Sequence, residues 1–261
     1  MHRAVLLVVV VVLLPACEQA SAPSLTLRED FKPFFEAHQV EGSILIYDLE
    51  ADAFTGYNAE RFETAFIPAS TYKIFNSLVA LETDVIADEN EVLAWDGQER
   101  AVAVWNQDHA MRSAITYSVV WFYQELARRI GEERMQQYVD EAGYGNQDIS
   151  GGIDMFWLDG GLRITSAQQI DVLKRLYHDA LPFSGRAMDI VKDILIREKI
   201  DAYVLRAKTG WAGQTGWYVG YLEQNDNVYF FATTIAIMKP EDSSAREAVT
   251  RAVFEHLGLL L

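Results

Sequence analysis

Ser70 and Lys73 stand three residues apart in Pro68-Ala69-Ser70-Thr71-Tyr72-Lys73, ahead of the apolar run Ile74 to Leu81. A proline, a cap-forming serine and apolar residues at helical spacing predict a helix that begins at or just before Ser70. Positions three apart on a helix share a face, so the hydroxyl and the amine lie about one turn from each other. Burial lowers a lysine pKa and makes the amine a base near neutral pH, while a helix N-terminus favours negative charge developing beside it. That pair has the chemistry of a nucleophile and its base. By itself, though, Ser-x-x-Lys reads more readily as a capping serine and a solvated lysine.

Further candidates follow in order. Lys208-Thr209-Gly210 ends a predicted strand and sets a cation and a hydroxyl where a glycine permits close backbone approach, a receptor for a carboxylate; alone it also reads as a surface lysine before a turn. Ser118, ahead of Val119 and Val120, is most simply a helix N-cap. Trp157, in Asp154-Met155-Phe156-Trp157-Leu158, is an aromatic whose ordinary role is local packing. His2, His38, His109, His178 and His256 make no metal-type spacing, and neither a Gly-x-Ser-x-Gly elbow nor a phosphate-binding glycine loop is present.

The elements that must position these residues are legible as periodicity. Leu27 to His38 reads as an amphipathic helix, then Gly42 to Leu49 and Ala53 to Tyr57 as a strand pair around Glu50-Ala51-Asp52. Helices are predicted over Asp108 to Ile115, Ser118 to Ile130, Glu132 to Ala142, Ser166 to Asp179 and Ser184 to Ile196, with a glycine-rich loop from Gly143 to Gly161. Three strands close the chain, Tyr203 to Thr209, Gly216 to Glu223 and Val228 to Met238, followed by a helix over Ala245 to Leu257. The expected architecture is α/β (α+β): an antiparallel sheet built from both chain ends (27–66 and 203–261), flanked by helices, with a mostly helical region (67–202) inserted.

The 261 residues suffice for one large or two interleaved domains, and the formal net charge of −16 argues against nucleic acid or an anionic membrane surface as partner. Ala4 to Leu14, preceded by Arg3, is too short to span a bilayer and suits a signal-peptide core. Leu14-Pro15-Ala16-Cys17 resembles a bacterial lipoprotein box, which makes 1–16 the leader, Cys17 the lipidated residue and 17–26 a tether; cleavage after Ala20-Ser21-Ala22 is the alternative. Either way the chain is expected to be exported, to the periplasm of a Gram-negative bacterium. Cys17 is the sole cysteine, so the exported chain has no internal disulfide. Oligomeric state stays open.

Taken together, Ser70-Thr71-Tyr72-Lys73, Ser118-Val119-Val120, Tyr144-Gly145-Asn146 and Lys208-Thr209-Gly210 resemble, in order, the motifs of the penicillin-recognising serine enzymes, specifically the class D, oxacillinase-type β-lactamases. The resemblance spans nearly the whole mature chain and implies a penicillin-binding-protein/β-lactamase-like fold acting on β-lactam antibiotics. It implies Ser70 as nucleophile and Lys73 as an N6-carboxylated base, the carbamate of CO2. Trp157 would donate its indole N–H to that carbamate, with Leu158, Val119 and Val120 lining the pocket. Ser118 would pass a proton to the departing nitrogen, and the backbone N–H groups of Ser70 and Trp211 would form the oxyanion hole. Lys208, Thr209, Gly210, Arg246 and Tyr144 would face the substrate. No metal or cofactor beyond CO2 or bicarbonate is implied. Tyr72 stands where the family more often has Phe. Two rivals share the pattern: a penicillin-sensing receptor domain that stops at the acyl-enzyme, and a D,D-peptidase acting on cell-wall peptides. A membrane-spanning protease segment would accompany the first, and Trp157 with the compact length counts against the second.

Overall fold

The computed structural model describes residues 22–260, so the leader and Cys17 lie outside the described residues. In chain order the elements are β1 (Ser24–Leu27), α1 (Lys32–Ala37), β2 (Gly42–Asp48), β3 (Ala53–Tyr57), α2 (Ala59–Glu63), a 3-10 turn over Ala69–Tyr72 and α3 (Lys73–Glu82). Then come β4 (Val92–Leu93), β5 (His109–Ala110), α4 (Met111–Thr116), α5 (Val120–Ile130), α6 (Glu132–Ala142), α7 (Ser166–Tyr177) and α8 (Gly185–Ile194). The chain closes with β6 (Ile196–Lys199), β7 (Val204–Ala212), β8 (Thr215–Gln224), β9 (Asn227–Ala236) and α9 (Ala245–His256).

A seven-stranded sheet in the order β1-β3-β2-β9-β8-β7-β6 forms the centre. Both of its faces are covered, which is why its inner strands read as near-continuous apolar runs. The period of two still decides which side chain goes where. In β2, Ile44 and Ile46 join Phe31, Phe35, Val249 and Phe254 under α1 and α9, while Leu45 and Tyr47 point into the larger core shared with α3, α5, α7 and α8. In β8, Tyr218 and Leu222 take the first side and Trp217, Val219 and Tyr221 the second. In the β8–β9 turn Asn225 and Asp226 both adopt left-handed φ, 51° and 64°, and Gln224 pairs with Asn227, the geometry of a tight hairpin.

Helix α3 threads the middle of the helical region and is buried from Lys73 through Leu81. A helix that is apolar nearly all round belongs inside, and the one cation it carries goes in with it.

Five expectations change. The expected tether holds β1, which takes Leu27 from the start of the first helix and pairs parallel to β3 from Ser24 opposite Ala53 to Leu27 opposite Gly56, so the sheet is mixed rather than antiparallel. Pro33, in the first turn, fits the later helix start at Lys32. The helix expected to reach Ile196 stops at Ile194, because Ile196–Lys199 pairs with β7 and extends the sheet into the stretch expected to be helical. His109 and Ala110 pair with Leu93 and Val92, which delays α4 to Met111. Finally, Ser70 lies in the 3-10 turn and α3 begins at Lys73.

Where β7 and β8 cross, no side chain fits at Gly220: a Cβ there would lie 2.1 Å from the Arg206 carbonyl oxygen and 2.8 Å from Ala207 Cα. Gly220→Ala must therefore push these central strands away from each other, and we expect a loss of about 1–3 kcal/mol. Urea unfolding of the variant beside the parent domain measures it.

Candidate active site

The 3-10 turn delivers Ser70 and the first turn of α3 delivers Lys73, with Lys73 Nζ 2.6 Å from Ser70 Oγ. Ser118 arrives from the loop before α5. Its φ of 56° is left-handed and the helix N-cap is Val119, so Ser118 caps nothing; the expected capping role is corrected. Instead its Oγ accepts from Lys208 Nζ at 2.9 Å and lies 3.4 Å from Lys73 Nζ. Lys208 also donates to the Thr209 carbonyl at 2.9 Å and reaches Thr209 Oγ1 at 3.4 Å. Ser70, Lys73, Ser118 and Lys208, scattered over the sequence, thus form one chain of contacts.

Gly210 explains how strand and turn come so close. A Cβ at this position would lie 2.9 Å from Pro68 O, 3.1 Å from Thr71 Cγ2 and 3.3 Å from Thr71 N. Strand β6 pairs with β7 only over Val204–Arg206, so the later stretch of β7 lies beyond it, and Gly210 there meets the turn that carries Ser70. Trp211, the next residue, brings its backbone to the same border; its side chain is 43 % exposed and its indole donates to Gly213 O at 2.9 Å.

Burial sets the electrostatics. Lys73 and Lys208 are both fully buried. Desolvation brings the Lys73 pKa down to about 7, and Lys208 is pushed well below its ordinary value by desolvation first and then by the charges of Lys73, Arg197 and Arg246. Near neutral pH a large share of Lys73 is free amine, whose lone pair can take the Ser70 proton. Among the described residues no carboxylate forms an ion pair with Lys73, Lys208, Arg197 or Arg246. Arg246, half-buried at the start of α9, donates Nη1 to the Gly210 carbonyl at 3.3 Å and leaves Nε without a partner.

The remaining candidates sort themselves by position. Trp157 is wholly buried, stacked on Tyr72 with ring centroids 5.5 Å apart, and its Nε1 has no hydrogen-bond partner among the described residues. Val119 is buried, whereas Val120 and Leu158 are half-buried. Tyr144, expected at the substrate, has its ring only 1 % exposed, edge-on to Tyr72 at 5.3 Å and against Phe75 at 4.9 Å, and so packs the core behind the turn. Its neighbour Asn146 works structurally as well: it accepts from Arg163 N and donates to Gly161 O, closing the base of the loop that carries Trp157. Sequence reasoning missed Arg197, on β6, whose Nε donates to Ala207 O at 3.1 Å beside Lys208. The predicted helix ends at Ile196, one residue before it, and no local pattern marks the short strand that carries it.

A buried lysine whose pKa falls to about 7 binds fewer protons folded than unfolded between that value and the ordinary lysine range, so its burial costs most below about pH 7 and the cost fades as pH rises. Lys73→Met is accordingly expected to stabilise the domain in CO2-free buffer, most near pH 6 and little near pH 10. Urea midpoints across that range check the sign.

Comparisons with known proteins join this geometry. The profile of the penicillin binding protein transpeptidase domain matches residues 37–255. Beta-lactamase OXA-48 of Klebsiella pneumoniae is 42 % identical over 232 residues, covering 87 % of this chain and 88 % of that protein. Beta-lactamase OXA-10 of Pseudomonas aeruginosa is 36 % identical over 248 residues, 92 % and 93 % of the two chains. Among solved structures, the class D β-lactamase YbXI from Nostoc superposes with a TM-score of 0.86 at 52 % identity, over 88 % of this chain and 99 % of that one. FUS-1 (OXA-85) from Fusobacterium nucleatum subsp. polymorphum gives 0.87 at 36 % identity, over 90 % and 100 %. With a Ser70–Lys73 pair, a Ser118 bridge and Lys208 on the neighbouring strand all in contact, and with relatives of this identity along most of its length, the chain belongs to the class D serine β-lactamases.

Proposed function

We propose that this protein hydrolyses the β-lactam amide of penicillin-type antibiotics through an acyl-enzyme on Ser70, with carboxylated Lys73 as general base, and thereby confers resistance. The observation that carries the reading is a buried serine in contact with a lysine of lowered pKa, beside Lys208, Arg197 and Arg246, with no carboxylate ion-paired to any of these four basic residues among the described residues. Such a site calls for anions from outside. Lys208, Thr209 and Arg246 would receive the substrate carboxylate, the cation and hydroxyl giving charge-assisted hydrogen bonds.

Two features fit CO2 addition at Lys73: an amine pKa near 7, which supplies the neutral nucleophile, and the buried Trp157 N–H, a donor lacking an acceptor. The carbamate would supply a base for the Ser70 proton and later for that of the attacking water. Ser70 Oγ attacks the lactam carbonyl; its backbone N–H and that of Trp211 would receive the oxyanion. Ser118 would hand its hydroxyl proton to the lactam nitrogen as the C–N bond breaks and take back, from the Lys73 side chain 3.4 Å away, the proton that had left Ser70, which frees the base for the attacking water; Lys208 Nζ, 2.9 Å from Ser118 Oγ, would steady that oxygen meanwhile. Water then cleaves the ester and Ser70 recovers its proton. Export from the cell, with Cys17 as a lipid anchor, completes the proposal and would put the enzyme where the antibiotic meets the cell wall.

Steady-state hydrolysis of benzylpenicillin, with CO2 stripped and with bicarbonate restored, tests the reading alongside mass spectrometry of the protein. Turnover should fall without CO2 and recover with bicarbonate. Trp157→Phe should lose roughly 10²–10⁴-fold in deacylation and accumulate the Ser70 adduct. A stoichiometric, stable adduct in the parent protein even with bicarbonate would mean a sensor or a peptidase.

A further inference from the structure

Ala69, immediately before the nucleophile, has φ 51°, a left-handed conformation that a residue with a Cβ adopts at a cost. Such backbone persists only where its surroundings over-determine it. The surroundings here are specific. Thr71 Oγ1 donates to Pro68 O at 2.7 Å and Thr71 N donates to the same oxygen at 3.2 Å, closing the turn around Ala69. Gln169, 2 % exposed, reaches in from the first turn of α7 and donates Nε2 to Thr71 Oγ1 at 2.8 Å.

That donor occupies a lone pair of the Thr71 oxygen and leaves its single proton for Pro68 O. Gln169 itself is held. The Thr165 capping box fixes the start of α7, with Thr165 Oγ1 accepting from Gln168 N at 3.2 Å and Gln168 Oε1 from Thr165 N at 3.0 Å. One residue earlier, Ile164 bridges Phe66 in both directions, at 2.8 and 3.0 Å, and Trp217 Nε1 holds Ile67 O at 2.9 Å. The segments 164–169 and 66–71 are therefore tied at two points, the Ile164–Phe66 bridge and the bond from Gln169 to the threonine between nucleophile and base.

We infer that Gln169 is a positioning residue for acylation: through Thr71 it fixes the Ser70 turn, and with it Ser70 Oγ against Lys73 and the Ser70 backbone against Gly210. Gln169 touches no reacting atom. Its effect belongs to the rate of ester formation and not to substrate affinity, because Lys208, Thr209 and Arg246 stand on other elements. The inference rests on Ser70 being the nucleophile.

Rapid-mixing acylation by benzylpenicillin, followed by mass spectrometry, tests it on Gln169→Met, which keeps the length and loses the donor, and on Thr71→Val. Each should lower the acylation rate constant by about tenfold or more with substrate dissociation changed by less than about threefold. The double variant should be no slower than the worse single one, since both remove the same bond. Thr71→Ser, which keeps the hydroxyl, should stay within about threefold of the parent. Gln169→Glu should acylate at low pH, where the carboxyl still donates, and lose rate as pH rises through a titration that the parent lacks. Acylation at the parent rate in folded Gln169→Met, or two effects that multiply, overturns the inference; if Gln169→Met does not fold, parent-like acylation by Thr71→Val overturns it alone. Failure of the parent to form a Ser70 adduct would remove the reading beneath it, a different and distinguishable result.

Discussion

Two buried lysines share one serine. Lys73 and Lys208 approach Ser118 Oγ at 3.4 and 2.9 Å with no carboxylate ion-paired to either among the described residues, and this is the constraint on which the rest of the site depends. Burial alone holds the Lys73 pKa down, and burial first and the charge of Lys73 second hold down that of Lys208, so the pair binds fewer protons than two solvated lysines would. Withholding water from an amine is what lowers the Lys73 pKa to about 7. Everything around serves that withholding, from the aromatic wall of Tyr72, Phe75, Phe156 and Trp157 to an α3 buried through nine consecutive residues.

The site straddles two bodies of structure. Ser70, Lys73, Ser118 and Trp157 come from the helical region, whereas Lys208, Thr209, Gly210 and Arg246 come from the last strands and helix. What joins them is close backbone approach, not side-chain filling: Gly210 leaves no room for a Cβ against Pro68 and Thr71. The sheet carries this precision because it is clamped on both faces, by α1 and α9 on one side and by the helical core on the other.

Strands such as β2 and β8, buried on both faces, announce themselves by composition, and the Asn225-Asp226 turn by its chemistry. Strand β1 did not, because all four of its residues are exposed at an edge and its parallel partner is distant in sequence. Nor did β6, where pairing with β7 overrides a helical pattern that runs on past Ile194. The motifs pointed to side chains that the fold brings into contact but misjudged their surroundings: Ser118 looked like a cap and is a left-handed bridge, and Tyr144 looked like a contact and is core. Local patterns report propensity, whereas these roles follow from what tertiary structure brings to the other side of the residue.

The cationic pocket sits in a chain whose formal net charge is −16. Far from the protein an anionic β-lactam meets a field that repels it, and within a few ångströms of the Arg197 and Arg246 guanidinium groups one that attracts it. A Debye length of about 8 Å at physiological salt lies between those scales. Ionic strength therefore mutes the outer repulsion and hardly touches the buried attraction, so the encounter rate with anionic substrates should be helped by salt, the reverse of ordinary electrostatic steering. Selection on surface charge and selection on the catalytic pocket are thereby uncoupled: the exterior can follow the demands of solubility while the interior keeps its own sign.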